Sequence, residues 1–217
     1  DAGAAGYGGF ASGDRTTMKL PPVQTELMKE LKKTGRPLIL VNMSGSVMSF
    51  DWESRNADAI LQAWYGGQAA GDAITDVLFG DYNPAGRMPL TTYMNDEDLP
   101  DFEDYSMANR TYRYFKGDVR YPFGYGLSYT TFAYQPLSNA SVVKTGESIQ
   151  VTTTVTNTGK RDGDEVVQLY VSHPQNENTR VPLRALKGFK RIHLNKGESQ
   201  TVTFTLSPEE LALVDDK

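Results

Sequence analysis

The sequence predicts an α/β layered region, a partial α/β sandwich, followed by an all-β sandwich of the immunoglobulin or fibronectin type III-like kind. Helical and buried-strand patterns alternate in the first half, whereas apolar residues recur every second position in the second half. Between them, residues 121–132 ("YPFGYGLSYTTF") combine aromatic rings with glycines, which is typical of a pinned, irregular connector. We therefore expect an α/β domain over 1–95, a connector over 96–130 and a β-sandwich over 131–217.

The first half begins with a predicted helix and a predicted buried strand. In "LPPVQTELMKELKKTG" a proline lies near the helix start, lysines occupy the last turns and Gly35 ends the helix. Its apolar residues recur at helical spacing and predict an inner face of Val23, Leu27, Met28 and Leu31. The unbroken apolar run 38–41 then predicts a strand covered on both faces, as in a parallel sheet.

A second strand and a second helix follow. Residues 59–64 predict another buried strand, and residues 68–79 predict a helix. The inner stripe of that helix consists of Ala70, Ala73, Ile74, Val77 and Leu78. A short strand is expected near 88–91. Because these strands are too few to close an α/β layer, we expect the missing strands to lie upstream of this sequence.

The second half predicts a β-sandwich. In "SIQVTTTVTNTG" the residues Ile149, Val151, Thr153 and Val155 are expected to point inward, and the next strand directs Val167, Leu169 and Val171 at the core. "LRALKGFKRIHL" and "SQTVTFTLS" predict two further strands, and "PEELALVDDK" a turn of helix. Several short strands separated by turn signals are typical of this architecture. The sandwich is expected to be one or two strands short, so the sequence is interpreted as truncated at both ends.

Composition excludes several classes of function. The formal net charge is −5 with acids and bases mixed along the chain, so no basic patch indicates nucleic acid. No apolar run of membrane-spanning length and no signal peptide occur. The chain has no cysteine, which removes disulfides and thiolate chemistry. The two histidines, His173 and His193, are expected at the surface, and no metal site is predicted.

Four long motifs occur in the order and spacing of a known family. They are "AWYGGQAAGDAITDVLFGDYNPAGRMPLT", "RTYRYF", "YPFGYGLSYTTF" and the stretch from "NTGKRDGDEVVQLYVSHP" to "LRALKGFKRIHLNKGESQTVTFTL". Together they resemble the C-terminal part of glycoside hydrolase family 3, the β-glucosidases and β-xylosidases. The resemblance implies a preceding (β/α)8 barrel, an α/β sandwich domain and a fibronectin type III-like domain. It also implies that the connector is a clamp between the last two.

The resemblance implies a retaining exo-acting β-glycosidase, with β-glucosidase the expected activity and no cofactor. Retention needs two carboxyl groups about 5 to 5.5 Å apart. The family carries the nucleophile Asp on the barrel, and its acid/base Glu on a loop that in many relatives ends in Glu-Gly-Asp-Arg. Here "ASGDR" has Ser12 in place of that Glu, and serine is too weak an acid to replace it. Either the Glu precedes this sequence or the protein is not a standard hydrolase; the long Gly-rich loop favours the first.

No catalytic residue is therefore expected in this chain, which alone is predicted to be inactive. Asp14 and Arg15 either shape the acid/base loop or cap the following helix. Asn42, Ser44, Ser46 and Trp52 follow the first predicted strand, where α/β folds tend to bind ligands. These residues are candidates for the wall of a substrate cleft, and a purely structural role is the alternative.

Two functions remain open at this stage. The first is part of an enzyme that acts on β-linked oligosaccharides or glycosides, completed by the barrel and the rest of the α/β domain of the same protein. The second is a non-catalytic carbohydrate- or protein-binding structural module. The enzyme is expected to be periplasmic or secreted. The oligomeric state is left open, a homodimer included.

Overall fold

A computed structural model describes residues 17–101, 103–139, 143–174 and 180–213, and the chain divides into two compact units. Unit 1 takes in Asp1–Thr75, Thr91–Tyr105 and Gly117–Tyr121, and unit 2 takes in Asp76–Leu90, Ser106–Lys116 and Pro122–Lys217. Both units are built from separate segments of the chain. The expected boundaries at residues 95 and 130 remain a prediction.

Unit 1 contains the α/β alternation that the sequence predicts. Helix α1 (Pro22–Lys32) leads to strand β1 (Ile39–Asn42), helix α2 (Glu53–Asn56), strand β2 (Ala59–Gln62) and helix α3 (Ala70–Phe79), whose last turn belongs to unit 2. β1 and β2 are parallel, with Ile39 opposite Ala59 and Asn42 opposite Gln62. Strand β3 (Thr92–Tyr93), the 3₁₀-helix Asp96–Asp98 and strand β4 (Val119–Tyr121) complete the unit, and β3 pairs with β4 antiparallel.

The apolar stripe of α1 is mostly exposed, contrary to the expected inner face. Met28 is 7% exposed, but Val23, Leu27 and Leu31 are 75%, 58% and 47% exposed. The expected cover on both faces of β1 is also missing within the described residues, since Ile39 is 51% exposed. Periodicity identifies the apolar side of a helix or strand, but burial also requires a neighbouring element to pack against. The described part of unit 1 supplies no such neighbour for the apolar stripe of α1.

Three element boundaries differ from the predicted ones. β2 ends at Gln62 and not at residue 64, because Trp64 has a left-handed backbone (φ 56°) that cannot continue a strand. α3 begins at Ala70, two residues later than expected. The short strand predicted at 88–91 is found at Thr92–Tyr93, as β3.

Unit 2 is a β-sandwich of two sheets. Strands β5 (Phe132–Tyr134), β6 (Ser138–Asn139), β7 (Ile149–Asn157) and β10 (Ser199–Leu206) form one sheet, in which β7 pairs with the other three. Strands β8 (Gly163–Val171) and β9 (Ala185–Leu194) form the other. Short helices α4 (Thr111–Tyr114) and α5 (Pro208–Leu211) complete the unit.

The core of the sandwich lies between the inward faces of these sheets. The buried residues alternate along each strand: Val151, Val155, Val167, Leu169, Ile192, Leu194, Val202 and Leu206. The first four of them are the ones that the sequence predicted to point inward. Asn157 is fully buried at the end of β7 and joins the two sheets, since its Nδ2 donates to the carbonyl oxygen of Leu194 at 3.0 Å. The two-residue period therefore predicted the part of this core that β7 and β8 supply.

The aromatic connector is packed against strand β8 within unit 2. The rings of Tyr112 and Phe123 stack at 4.2 Å between centroids, and Tyr170 meets both rings edge-on. Gln168 Nε2 donates to the carbonyl oxygen of Gly124 at 3.1 Å. Rings and glycines thus pin this segment to the sandwich, whereas its role as a clamp between two domains remains a prediction.

A charged cluster lies on β8 and β9. Asp164 Oδ1 is 2.6 Å from His193 Nδ1, and Arg191 Nε donates to Asp164 Oδ2 at 2.6 Å. Arg191 also donates to the hydroxyl of Tyr82 at 2.6 Å. Partial burial acts to raise the pKa of Asp164, but the hydrogen bonds from His193 and Arg191 outweigh it and hold that pKa below its ordinary value of 3.8.

This cluster predicts an acid-dependent loss of stability. A carboxyl whose pKa is lowered by folding stabilises the fold above its unfolded pKa, and that contribution is lost as pH falls through the folded value. Asp164→Asn is therefore expected to flatten the decline in the free energy of unfolding below about pH 4. Urea unfolding at a series of pH values measures this. Asp72→Asn, an exposed change on α3, should keep the wild-type profile, and an unchanged profile in Asp164→Asn would contradict the prediction.

Candidate active-site wall

The carboxyl ends of β1 and β2 bring polar side chains together at one edge of the parallel pair. Asn42 and Gln62 are the last residues of their strands and lie opposite each other. The amide of Ala63 donates to the carbonyl oxygen of Asn42 at 2.9 Å, and the regular pairing of the two strands ends there. This edge is where open α/β sheets tend to bind ligands.

Asn42, Ser44 and Gln62 form a hydrogen-bonded group that we call the amide cluster. Asn42 Nδ2 donates to Gln62 Oε1 at 2.7 Å and to Ser44 Oγ at 2.8 Å. Ser44 Oγ in turn donates to the carbonyl oxygen of Ser46 at 2.9 Å. Asn42 is 7% exposed, and these two hydrogen bonds use both protons of its amide. Asn42 therefore fixes the orientation of the Gln62 amide, with its Nε2 directed away from Asn42.

The Nε2 of Gln62 is buried and has no hydrogen-bond acceptor among the described residues. A buried donor left without a partner costs about 1–3 kcal/mol, and native structures rarely retain one without a reason. A ligand oxygen at this position would satisfy the donor. The amide cluster therefore holds a preoriented but buried hydrogen-bond donor at the edge where open α/β sheets tend to bind ligands.

Aromatic residues border the amide cluster. The left-handed backbone of Trp64 is an outlier for a bulky residue, and conformations of this kind are concentrated at functional sites. The next residue, Tyr65, is 76% exposed. Gly45 permits the loop after β1 to approach this ring, because a Cβ at Gly45 would lie 2.7 Å from Tyr65 Cε2. An exposed ring beside a fixed polar group is a common arrangement in small-molecule sites.

The loop that carries Trp52 is anchored by charged groups. Arg120 is 10% exposed and contacts Asp51 Oδ1 at 3.1 Å, and Thr25 Oγ1 donates to the buried Glu53 at 2.6 Å. Trp52 is half-buried, and its carbonyl oxygen accepts a hydrogen bond from Asn56 Nδ2 at 2.7 Å. The carboxyl groups of this loop are thus engaged in structural contacts.

The structure brings some of the predicted site residues together. Asn42, Ser44 and Ser46 lie in one network, whereas the contact of Trp52 described above is with Asn56, at the end of α2. The role of Trp52 remains a prediction. Ser12, Asp14 and Arg15 lie outside the described residues.

Gln62 and Tyr65 are not among the site residues that the sequence predicts. A signal for Gln62 was present, since it is the polar residue that ends the apolar run of the second parallel strand. Because the predicted strand extends to Trp64, it places Gln62 inside the strand and not at the carboxyl-terminal edge of the sheet.

The described ranges contain neither a candidate metal site nor a candidate membrane span. In them, no group of three or more His, Cys, Asp or Glu side chains could hold a metal ion. Nor does any helix there have the length and apolar character needed to cross a membrane.

Family models match most of the chain. The model described as "Glycosyl hydrolase family 3 C-terminal domain" matches residues 4–129, and the one described as "Fibronectin type III-like domain" matches residues 165–217. A β-glucosidase structure from Bifidobacterium adolescentis superimposes with a TM-score of 0.85 at 36% identity, covering 94% of this chain and 32% of that chain. The predicted fold class, α/β followed by a fibronectin type III-like sandwich, is confirmed.

Named relatives include enzymes of two specificities. A xylan 1,4-β-xylosidase from Xylanibacter ruminicola is 47% identical over 95% of this chain and 24% of its own length. A periplasmic β-glucosidase from Salmonella typhimurium is 40% identical over 91% of this chain and 27% of its own length. The chain thus spans about a quarter of the length of the curated relatives it matches.

Proposed function

The chain belongs to glycoside hydrolase family 3, and from that membership we propose that it is the C-terminal part of a retaining, exo-acting β-glycosidase. The proposed substrate is a β-linked oligosaccharide or glycoside, from which a terminal sugar is released. Glucose is the first candidate for that sugar. Xylose is the second, and it is favoured by the 47% identity to the xylosidase from Xylanibacter ruminicola.

The amide cluster supports a role at the wall of the substrate cleft. A sugar hydroxyl can accept the hydrogen bond that Gln62 Nε2 lacks once the side chains that cover this buried atom move aside, while the exposed ring of Tyr65 offers an apolar surface for a sugar face. The partnerless Nε2 of Gln62 is the single observation that carries this assignment.

The two catalytic carboxyl groups are proposed to come from polypeptide outside this chain. After β1, Glu53 accepts from Thr25 and Asp51 is paired with Arg120, which supports a structural role for both carboxyl groups. The nucleophile is assigned to the barrel and the acid/base Glu to the segment before residue 1. We expect this chain alone to be inactive.

The exposed stripe of α1 supports an intramolecular partner. Val23, Leu27 and Leu31 present three apolar side chains at i, i+4 and i+8, a pattern that normally packs against another element. We assign this cover to the remainder of the α/β domain of the same protein. The periplasmic relative supports a periplasmic or secreted location, which cell fractionation would test.

The experiment that tests the proposal is an assay on aryl β-glucoside and aryl β-xyloside. The complete protein, with the preceding barrel, is expected to hydrolyse at least one of them, and the 217-residue chain neither. A folded complete protein that releases no sugar from either substrate would overturn the proposal and favour the non-catalytic module. An intact gene product of only 24.0 kDa would also favour that module.

Gln62→Ala tests the amide cluster in the complete enzyme. Loss of one hydrogen bond to a neutral sugar oxygen is expected to lower kcat/KM on an oligosaccharide roughly twofold to tenfold. Steady-state kinetics on a cello- or xylo-oligosaccharide measure this. Gln200→Ala, which removes an exposed glutamine from β10, is the control and should leave kcat/KM unchanged. Equal kinetics of Gln62→Ala and wild type would show that Gln62 does not bind the substrate.

A further inference from the structure

The sheet of β5, β6, β7 and β10 carries rows of hydroxyl groups on its outward side. Three cross-strand pairs have hydroxyl oxygens within hydrogen-bond distance: Thr152 and Thr203 at 3.2 Å, Thr154 and Thr201 at 3.1 Å, and Thr156 and Ser199 at 2.7 Å. We call these six residues the hydroxyl face. Their strand neighbours Val151, Val155 and Val202 are buried, so the six side chains point away from the core.

The surroundings of the hydroxyl face are neutral. The other outward positions on or beside these strands within the described residues are Thr131, Ala133, Gln135, Ser138, Gln150, Thr158 and Thr205. None of these side chains is charged, although 23% of the chain is charged. The other sheet of the same unit differs, since Asp164, Arg191 and His193 form a charged cluster on it. One cation borders the face, because Lys190 Nζ donates to the carbonyl oxygen of Thr203 at 2.6 Å.

The geometry suits an extended ligand. Residues two apart on one strand are about 6.5 Å apart, and neighbouring strands lie about 4.8 Å apart. The three pairs thus form a regular grid of hydroxyls about 13 Å long. A single sugar would cover only part of it, whereas a chain of sugars could contact all three pairs.

The chemistry suits a neutral polyhydroxyl chain. Each hydroxyl has one donor and two acceptor positions. The hydrogen bond within each cross-strand pair uses one of the two donors of that pair. One donor and several acceptors per pair remain for hydroxyl groups of a ligand. A charged polymer would meet no opposite charge on these six side chains. A protein partner fits less well, because Ser and Thr are scarce among the residues that dominate protein interfaces.

We propose that the hydroxyl face binds an uncharged polysaccharide chain and so holds the protein on polymeric glycan. Cross-strand threonine pairs also stabilise the sheet, which accounts for the pairing but not for the lack of charge on a solvent-exposed face. The binding is carried by many weak hydrogen bonds that compete with water, so we expect low affinity that requires several sugar units.

The test is affinity electrophoresis of the 217-residue chain in native gels that contain neutral mixed-linkage β-glucan or neutral arabinoxylan. At least one of these glycans should retard the wild type, and polygalacturonate, a charged polysaccharide, should not. The triple variant Thr152→Val, Thr154→Val, Thr201→Val keeps the strand-forming shape but removes three hydroxyls. Each lost hydrogen bond changes affinity by roughly twofold to tenfold, so the variant should bind about tenfold or more weakly.

Two controls separate loss of binding from other effects. The triple variant Thr152→Ser, Thr154→Ser, Thr201→Ser retains the hydroxyls and should retain most of the retardation. Thr34→Val, in the exposed turn after α1, should bind like the wild type. Equal mobility of wild type and the valine variant in both neutral gels would overturn the proposal. A change of oligomeric state in the valine variant, measured by analytical ultracentrifugation, would overturn it in favour of a protein interface.

This inference stands apart from the catalytic proposal. In the complete enzyme, the valine variant is expected to retain wild-type kcat/KM on an aryl glycoside, whose single sugar cannot span the face. An active enzyme without retardation would refute the hydroxyl-face proposal alone. Retardation by an enzyme without activity would refute the catalytic proposal alone.

Discussion

Replacement of Arg87 by methionine is expected to lower the free energy of unfolding of unit 2 by about 3–5 kcal/mol. Arg87 Nη2 contacts Glu165 Oε2 at 2.6 Å, and each side chain is 12% exposed. The other oxygen of Glu165 accepts a hydrogen bond from the Tyr134 hydroxyl at 2.8 Å. Burial, together with this carboxylate, raises the pKa of Tyr134 above its usual range, so the phenol remains a donor. Without Arg87 the carboxylate would be buried without a cation.

The measurement is urea unfolding followed by far-UV circular dichroism. Tryptophan fluorescence would not report on unit 2, because both tryptophans, Trp52 and Trp64, lie in unit 1. The matched control is the ion pair of Lys33 and Glu30, which is also 2.6 Å long but 70% and 64% exposed. Glu30→Gln should cost less than about 1 kcal/mol.

A double variant identifies the source of the loss. If an unpaired buried charge causes it, Arg87→Met combined with Glu165→Leu should recover most of the stability, because apolar pairs often replace buried ion pairs without cost. A loss below about 1 kcal/mol in Arg87→Met would mean that this pair contributes no more than a surface pair.

The second large effect is expected for Gly124→Ala, at about 2–5 kcal/mol of destabilisation. Gly124 has a φ of +81°, a conformation that costs an L-residue about 1–2 kcal/mol. An added Cβ would also overlap Gln168 Oε1 and lie 2.7 Å from the Tyr170 hydroxyl. Displacing these two side chains adds an overpacking cost of about 1–3 kcal/mol.

Gly146→Ala separates the two causes. Gly146 has a similar φ of +90° with nothing within 4 Å of an added Cβ, so it should show the backbone cost alone. Urea unfolding gives both losses, and hydrogen exchange of β8 amides should increase only in Gly124→Ala. Equal losses in the two variants would show that the close approach to β8 contributes nothing.

The sequence predicted the sandwich core more completely than the α/β layer. Along β7, alternation alone placed Val151 and Val155 inside, because in an antiparallel sheet every second residue faces the partner sheet. For α1, periodicity found the apolar side, but Val23 and Leu27 are exposed because burial depends on neighbours that local pattern does not encode.

The candidate site was predicted only in part. Asn42, Ser44 and Ser46 follow one strand and could be placed at its carboxyl end from the sequence. Gln62 joins them through the register of β1 against β2, which depends on how two segments pair. β2 ends because Trp64 has a left-handed backbone. The sequence does not predict this conformation, since tryptophan usually favours strands.

The segmental make-up of the two units has a consequence for synthesis on the ribosome. Stretches 76–90 and 106–116 belong to unit 2 but are translated between pieces of unit 1. Neither unit can therefore be assembled in full before residue 121 has been translated, and no single proteolytic cleavage separates them cleanly. Limited digestion should accordingly give nicked but associated fragments, which denaturing gels would resolve and native gels would not.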